Sequence, residues 1–368
     1  MIITKIELYK SPIKLKEPFK ISLGVLTHAN NVIIRIHTDN GLIGSGECSP
    51  FMTIHGESMD TAFVVGQYLA KGLIGKYCLE IDKHSILFDT IIYGNACIKS
   101  AFNIALYDLA AQHAKLPLYA FLGGANNKII QTDYTVSIDN PSKMADDAVQ
   151  IKNNGFEIIK VKVGGSKEQD VERIRMIREA VGYDIQIRID ANQGWEVSSV
   201  LETLKALAVF KIQHCEEPIN RALVEFLPEI KAQSPIPIMA DESCCNHMDA
   251  QRLIQMKACD SFNIKLSKSA GITHALKIIA LAEQVDMPIQ VGGFLESRLG
   301  FTAAAHVALV GKTICYYDFD TPLMFDQDPV MDGIVYHERG VVSMPEIVGL
   351  GASFDSAYLD SLKVFLVN

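Results

Sequence analysis

From about residue 126 onward the chain repeats a short apolar run followed by an amphipathic stretch, roughly every 26 residues. The runs centre on Tyr134, Lys160, Ile187, Gln213, Ile238, Phe262, Ile289 and Cys315. Helical patterns lie between them, as over 143–153, 168–180 and 272–285. A unit of this length holds one strand and the helix that returns the chain, which is what a parallel pair of strands needs. Eight even units without a glycine-rich phosphate loop predict a (β/α) barrel over 126–322 rather than an open doubly wound sheet.

The first 125 residues have a different texture, with strands first and helices second. The runs 31–36 and 42–47 flank Asp39-Asn40-Gly41, a hairpin turn signal. Ile98, Ala101, Phe102, Ala105, Leu106 and Leu109 form one helical stripe. The expected fold is therefore α/β: a modified barrel with an N-terminal α+β capping domain over 1–125. The tail, 323–368, has no ninth unit and is expected to return to that domain.

The net charge of −9 comes without any block of lysine and arginine, which argues against nucleic acid or an anionic membrane surface as partner. No apolar run is long enough to span a bilayer, and the start of the chain lacks a signal-peptide pattern. The 8 cysteines show no Cys-x-x-Cys spacing, so reduced thiols and a cytoplasmic location are expected. A small-molecule substrate remains, and homo-oligomer formation is compatible with everything above.

Alternation along each strand sorts side chains into those facing the outer helices and those pointing into the barrel. In 156–163, Ile159, Val161 and Val163 face outward, leaving Lys160 and Lys162 inward at the C-terminal end, where barrel active sites lie. Lys-x-Lys on an edge strand is usually a solvated pair, but a closed barrel has no edge. In the sixth run Phe262, Ile264 and Leu266 face outward, so Asn263 and Lys265 point inward, opposite the second strand; Lys268 is placed in the loop beyond. Three strands between them end in Asp190, Glu216 and Asp241, spaced by 26 and 25 positions, or one barrel unit each. Three carboxylates on one rim repel unless a cation joins them, and an all-oxygen donor set favours Mg²⁺. Alternation turns Glu217 and Glu242 away. The eighth run carries Asp318 and Asp320 on one face, a negative pocket that a substrate ammonium group would satisfy.

Lys160-Val161-Lys162, Asp190-Ala191-Asn192, Glu216-Glu217-Pro218, Ala240-Asp241-Glu242-Ser243 and Asn263-Ile264-Lys265, in that order, resemble the muconate-lactonising subgroup of the enolase superfamily. Enolase-superfamily sites pair a lysine or histidine base with Mg²⁺. Asp133-Tyr134-Thr135-Val136-Ser137 and Asp318-Phe319-Asp320-Thr321-Pro322-Leu323 further resemble the dipeptide epimerases, in particular the L-Ala-D/L-Glu epimerases. The resemblance implies a dipeptide substrate whose α-ammonium group meets Asp318 and Asp320. It implies an enediolate reached by proton transfer between the substrate and Lys162 on one face and Lys265 on the other. Asp190, Glu216 and Asp241 would hold the metal, and Lys160 would lower the pKa of Lys162 by like charge. Thr135, Glu296 and Gly24 are the remaining expected substrate-side positions. Gly24 stands in the 19–27 segment where the resemblance implies a cation for a glutamate side chain; Lys20 and Arg298 are the substitutes to consider. The segments 19–27 and 49–56 are expected to close over the site. Cycloisomerisation, o-succinylbenzoate synthesis and N-acylamino acid racemisation would use the same triad and lysines but not the Asp318/Asp320 pocket. A catalytically silent binding protein would have lost a ligand or a base, and neither is missing here.

Overall fold

The computed structural model describes all residues, 1–368. The N-terminal unit is a four-stranded antiparallel sheet backed by helices. Its first two strands, β1 (Ile3–Ile21) and β2 (Gly24–Thr38), form one long hairpin, and β3 (Ile43–Cys48) follows across the Asp39-Asn40-Gly41 turn. Helices α1 (Met59–Leu73), α2 (Ile81–Ile91) and α3 (Ala96–Ala114) cover it. The predicted stripe from Ile98 to Leu109 is buried in α3, but Lys99, Ser100, Asn103 and Asp108 are buried on its other faces too. That helix is sandwiched between the sheet and the barrel, so most of it is buried on every side and exposure is confined to its last turn, at His113 and Ala114. β3 lies directly on it: a Cβ at Gly46 would collide with the Ala101 carbonyl oxygen, and one at Gly44 with that of Ala105.

The barrel strands are β4 (Tyr134–Val136), β5 (Ile158–Lys162), β6 (Gln186–Asp190), β7 (Ile212–Glu216), β8 (Ile238–Ala240), β9 (Ser261–Lys265), β10 (Ile289–Gly292) and β11 (Ile314–Asp318). They pair in chain order and in parallel, each on one of the eight predicted runs. Helices return the chain between strands, among them α4 (Pro141–Asn153), α5 (Lys167–Val181), α6 (His247–Met256), α7 (Ile272–Glu283) and α8 (Arg298–Ala308). Their starts follow local chemistry. Asn140 caps α4 ahead of Pro141, Ser166 and Gln169 form a reciprocal capping box on α5, and Asn246 and Asp249 do the same for α6. Ile159, Val161, Ile187, Ile189, Phe262 and Ile264 are fully buried between strands and helices, as alternation requires.

Two expectations change. The barrel is not closed by a strand ladder: β4 and β11 are the two ends of the sheet. The seam is bridged instead by single bonds, Phe319 N–H to Thr132 Oγ1 at 2.7 Å and Thr135 N–H to Asp320 Oδ2 at 2.6 Å. β4 is three residues long and pairs only with β5. The tail, moreover, divides. Val330, Ile334, Val342, Met344, Leu350, Phe354 and Leu359 join the hydrophobic core of the barrel. The start of the tail touches β1, where Phe325 bridges Leu15 and the Asp326 N–H donates to the Lys14 carbonyl at 2.9 Å, and the last strand, β12 (Lys363–Val367), returns to the N-terminal sheet, pairing with Ile6–Lys10 of β1.

The segment 19–27 is the tip of the β1–β2 hairpin rather than an irregular loop, with Ile21 opposite Gly24 around the Ser22-Leu23 turn. Gly24 there has φ of +141°, open to glycine and strained for other residues. The tip rests on the barrel rim, where Ser22 Oγ donates to the Asn192 carbonyl at 2.8 Å.

Because Gly46 faces a backbone carbonyl that cannot step aside, Gly46→Ala is expected to cost about 1–3 kcal/mol. Urea unfolding followed by circular dichroism reads this as a lowered midpoint; an unchanged midpoint would show that α3 can retreat from β3.

Candidate active site

Six strands deliver charged side chains to one end of the barrel. Register makes neighbours of Lys162 and Asp190, and of Asp190 and Glu216, with Asp241 just beyond β8. Asp190, Glu216 and Asp241 are completely buried. Lys162 Nζ donates to Asp190 Oδ2 at 2.6 Å and to Asn192 Oδ1 at 3.1 Å. Lys265 Nζ donates to Asp241 Oδ2 at 2.6 Å and lies 3.8 Å from Glu216 Oε1. The two lysines thus end on opposite members of the acidic triad. Aromatic rings cover both: Phe19, from the hairpin, has its ring centre 5.9 Å from the Lys162 ammonium, and Phe294, after β10, lies 4.6 Å from that of Lys265.

Lys160 does not stand as a bare charge beside Lys162. Its Nζ donates to Glu216 Oε2 at 2.7 Å and to Asp318 Oδ2 at 2.8 Å, and lies 3.2 Å from Asp190 Oδ2. It ties the triad to the Asp318/Asp320 pair, and its charge is taken up by carboxylates. Those contacts make Lys160 a tether between the two groups of acids.

Electrostatics follow from these contacts. Burial, reinforced by Asp190 and Asp241, pushes Glu216 up to about 7. Burial works against the ionised form of Asp241 as well, yet Lys265 and Lys268 hold it well below the ordinary carboxylate range. Burial favours a neutral Lys265, but Asp241 and Glu216 outweigh it and raise the ammonium above its usual value. Burial and the neighbouring Asp318 push Asp320 up to about 7, whereas Lys160 overcomes burial at Asp318 and lowers it to about 2. A hard divalent cation fits the triad: the donors are all oxygen, they repel one another, and Asp241 Oδ1 has no aligned hydrogen-bond donor.

The cleft above this floor has a volume of about 440 Å³. Lys162, Lys265, Asn192, Thr135, Asp318 and Asp320 supply its polar wall. Phe19, Ile21, Phe51, Ile54, Phe294 and Leu295 supply the apolar one. The segment 49–56 contributes Phe51 and Ile54, pinned by Arg221 Nη1 donating to the Ile54 carbonyl at 2.6 Å. A larger outer groove, about 1140 Å³, runs beside α4 and shares Phe19 and Thr135 with the cleft. It holds none of the triad or the lysines of β5 and β9.

Some expected positions fall elsewhere. Gly24 is exposed at the hairpin tip with nothing within 4 Å of a built Cβ, because the turn carries it past the cleft. Glu296 lies behind the wall: Ser267 Oγ and the Phe294 N–H, each at 2.6 Å, occupy its two oxygens, so it fastens the β9 and β10 loops together. Neither substitute cation reaches the cleft. Lys20 is paired with Asp139 at 2.6 Å, and Arg298 holds Asp328 and the carbonyls of Val330, Asp332 and Ile334. Glu217 and Glu242, which alternation turns away, are both buried. Glu217 accepts from the Asp241 N–H at 2.7 Å, and Glu242 accepts from Asn192 Nδ2 at 3.3 Å. Lys268 is the clearest miss. It is a loop residue, but its side chain turns back into the barrel, with Nζ 2.7 Å from Asp241 Oδ1 and donating to the Asn263 carbonyl at 2.7 Å. A lysine flanked by small residues, Ser267 and Ser269, was the available signal.

Residues 3–123 match the mandelate racemase/muconate lactonizing enzyme N-terminal domain, and residues 143–358 match the enolase C-terminal domain-like model. The chain belongs to this family, within the enolase superfamily. A family member from Cytophaga hutchinsonii, a D-Ala-D/L-Ala epimerase, is 74% identical over 368 residues, all of both chains. A Cytophaga hutchinsonii dipeptide epimerase crystallised with Mg and D-Ala-L-Val has a TM-score of 1.00, with all of both chains covered. A hydrophobic dipeptide epimerase of Enterococcus faecalis is 38% identical over 96% of this chain and 100% of its own. No helix of this family member is long and apolar enough to cross a membrane.

The contacts of Lys268 make it the orienting group of Asp241. Lys268→Met is expected to weaken Mg²⁺ binding by about 10–100-fold, the usual cost of losing a residue behind a metal ligand. Calorimetric titration with Mg²⁺ measures it; wild-type affinity would show that Asp241 needs no such support.

Proposed function

We propose that the protein is a Mg²⁺-dependent dipeptide epimerase that inverts the α-carbon next to the substrate carboxylate, with preference for apolar side chains. The observation that carries the reaction type is the placement of Lys162 and Lys265 on Asp190 and Asp241, at opposite ends of one acidic triad. Names of the relatives, which refer to Ala-Ala and to hydrophobic dipeptides, support the substrate class. The six apolar residues of the cleft support it too, as do Lys20 and Arg298, both committed outside it. The glutamate side chain implied by the sequence resemblance would meet no free cation beyond the two lysines at the triad.

Asp190, Glu216 and Asp241 would hold the metal. When bound, the ion supplies positive charge that stabilises the substrate carboxylate as the α-carbon loses its proton, and it draws the triad's negative charge away from the lysines. Lys162 Nζ takes the proton from one face, and Lys265 Nζ, protonated, delivers one to the other; the reverse reaction exchanges their roles. Asn192 Oδ1 directs Lys162, and the Phe294 ring lies against Lys265. Asp318 and Asp320 receive the substrate ammonium, with Thr135 N–H fixing Asp320 and Lys160 fixing Asp318. Phe19, Phe51 and Ile54 exclude water above the reacting carbon. The Asp318/Asp320 pair separates this reading from racemisation of N-acylated amino acids, which bring no cation to that pocket.

Lys162→Ala and Lys265→Ala are each expected to lower epimerisation of an Ala-Val dipeptide by about 10²–10⁴-fold or more. In heavy water each variant retains α-proton exchange with one epimer only, and a different one in each case. Chelation of Mg²⁺ abolishes both activities. Full epimerisation by either variant would falsify the two-base reading.

A further inference from the structure

Asp133 lies immediately before β4 and is completely buried. Its Oδ2 accepts from Arg188 Nη1 at 2.8 Å, while its Oδ1 has no hydrogen-bond partner. Carboxylate oxygens of Asp133, Asp318 and Asp320 lie within 4.8 Å of one another. Two cations face this cluster, Lys160 on Asp318 and Arg188 on Asp133; Asp320 has only the Thr135 N–H. Arg188 answers Asp133, and Lys160 answers Asp318 while also serving Glu216 and Asp190, so Asp320 is the carboxylate without a cation of its own, in a buried place where the effective dielectric is low. A divalent metal ion fits poorly, since two fixed cations already stand beside it and each carboxylate has given one oxygen to another donor. A singly charged group entering from the cleft, past Asp318 and Asp320, completes the balance.

We propose that Asp133 is a positioning residue for the substrate amine: lying behind the Asp318/Asp320 pair, it holds Arg188 to itself and so keeps that cation from neutralising the pair, which leaves Asp320 to select a free ammonium group over an N-acylated one. It acts through the pair, since Asp318, Asp320 and Thr135 line the cleft in front of it. This inference rests on the amine site of the proposed function. It adds that selectivity for a free amino terminus comes from three acids, one of them out of the substrate's reach. Orientation of Asp318 by Lys160 then sets where the ammonium sits, and Asp133 sets how strongly it is wanted.

The test compares an Ala-Val dipeptide with its N-acetyl derivative, each titrated calorimetrically into the magnesium-loaded protein. Asp133→Asn keeps an acceptor for Arg188 but removes the charge. It is expected to weaken the free dipeptide about tenfold or more, while the affinity for the N-acetyl derivative stays within about twofold. A scaffold role for Asp133 would weaken both ligands together, and that result overturns the inference. Asp320→Asn is the reference. An unchanged ratio of affinities in Asp320→Asn overturns the amine site itself, whereas a ratio lost there but kept in Asp133→Asn overturns only the role of Asp133. If thermal melting shows that Asp133→Asn does not fold, Asp133→Ser removes the same charge in a smaller side chain, and the same ratio decides.

Discussion

Buried charge governs this structure. The barrel mouth holds Asp190, Glu216, Asp241, Asp318 and Asp320 beside Lys160, Lys162, Lys265 and Lys268, all of them buried. Removing each such ion from water costs several kcal/mol, and only well-aligned partners offset that. Parallel register supplies the alignment, because adjacent strands bring Lys162, Asp190 and Glu216 level with one another. The acids therefore cannot be pulled apart one at a time. Lys160 bridges Glu216 and Asp318, so the triad proposed for the metal and the pair proposed for the substrate amine share a single ammonium group.

The N-terminal unit contributes no base and no metal ligand, yet it holds the acid–base geometry in place. Glu47, at the end of β3, accepts from Asn31 Nδ2 at 2.8 Å, from Ser297 Oγ at 2.6 Å and from the Gly300 N–H at 3.0 Å. A carboxylate at the start of α8 suits the helix dipole. Asn31 also donates to the Leu295 carbonyl at 2.7 Å, and the Leu295 N–H donates to Ser49 Oγ at 3.1 Å. The loop carrying Phe294 against Lys265 is thus gripped on both sides by residues of the cap. Close contact of Gly44 and Gly46 with α3 sets the height of β3, and hence of Glu47, over the barrel.

Periodicity made much of this legible in the sequence. Inward and outward faces of β5, β6 and β9 follow directly from alternating residues, because their outward positions are apolar to meet a helix; in β7 the outward Gln213 is polar and a register shift against β6 interrupts the alternation. The triad and both lysines fell out of that pattern together with the unit spacing. Positions outside regular strands were less readable. Lys268 leaves β9 and then turns back, a reversal with no period. Glu296 and Gly24 stand near the right loops, but their side-chain directions depend on turns whose geometry long-range contacts decide. The seam between β4 and β11 and the division of the tail were also hidden, since both depend on which surfaces remain uncovered once the other strands have paired.

Catalysis and selectivity consequently sit on different parts of the chain. Strand ends that cannot move without breaking buried ion pairs carry the proton-transfer groups. The rings and aliphatic chains of Phe19, Ile21, Phe51 and Ile54 come from a hairpin tip and a short loop, held to the rim by single contacts such as Ser22 to Asn192 and Arg221 to Ile54. These segments can change composition at little cost to the barrel, and their apolar character here does two things at once. It gives the side chains of the proposed dipeptide an apolar wall, and it lowers the dielectric over the triad, which strengthens each of the charge interactions that the lysines and carboxylates depend on. A charged residue introduced at the roof to recruit an acidic side chain would add a long-range field directly above Lys162 and Lys265. Substrate range and acid–base balance are therefore coupled through the medium they share, even where no side chain of the roof touches the floor.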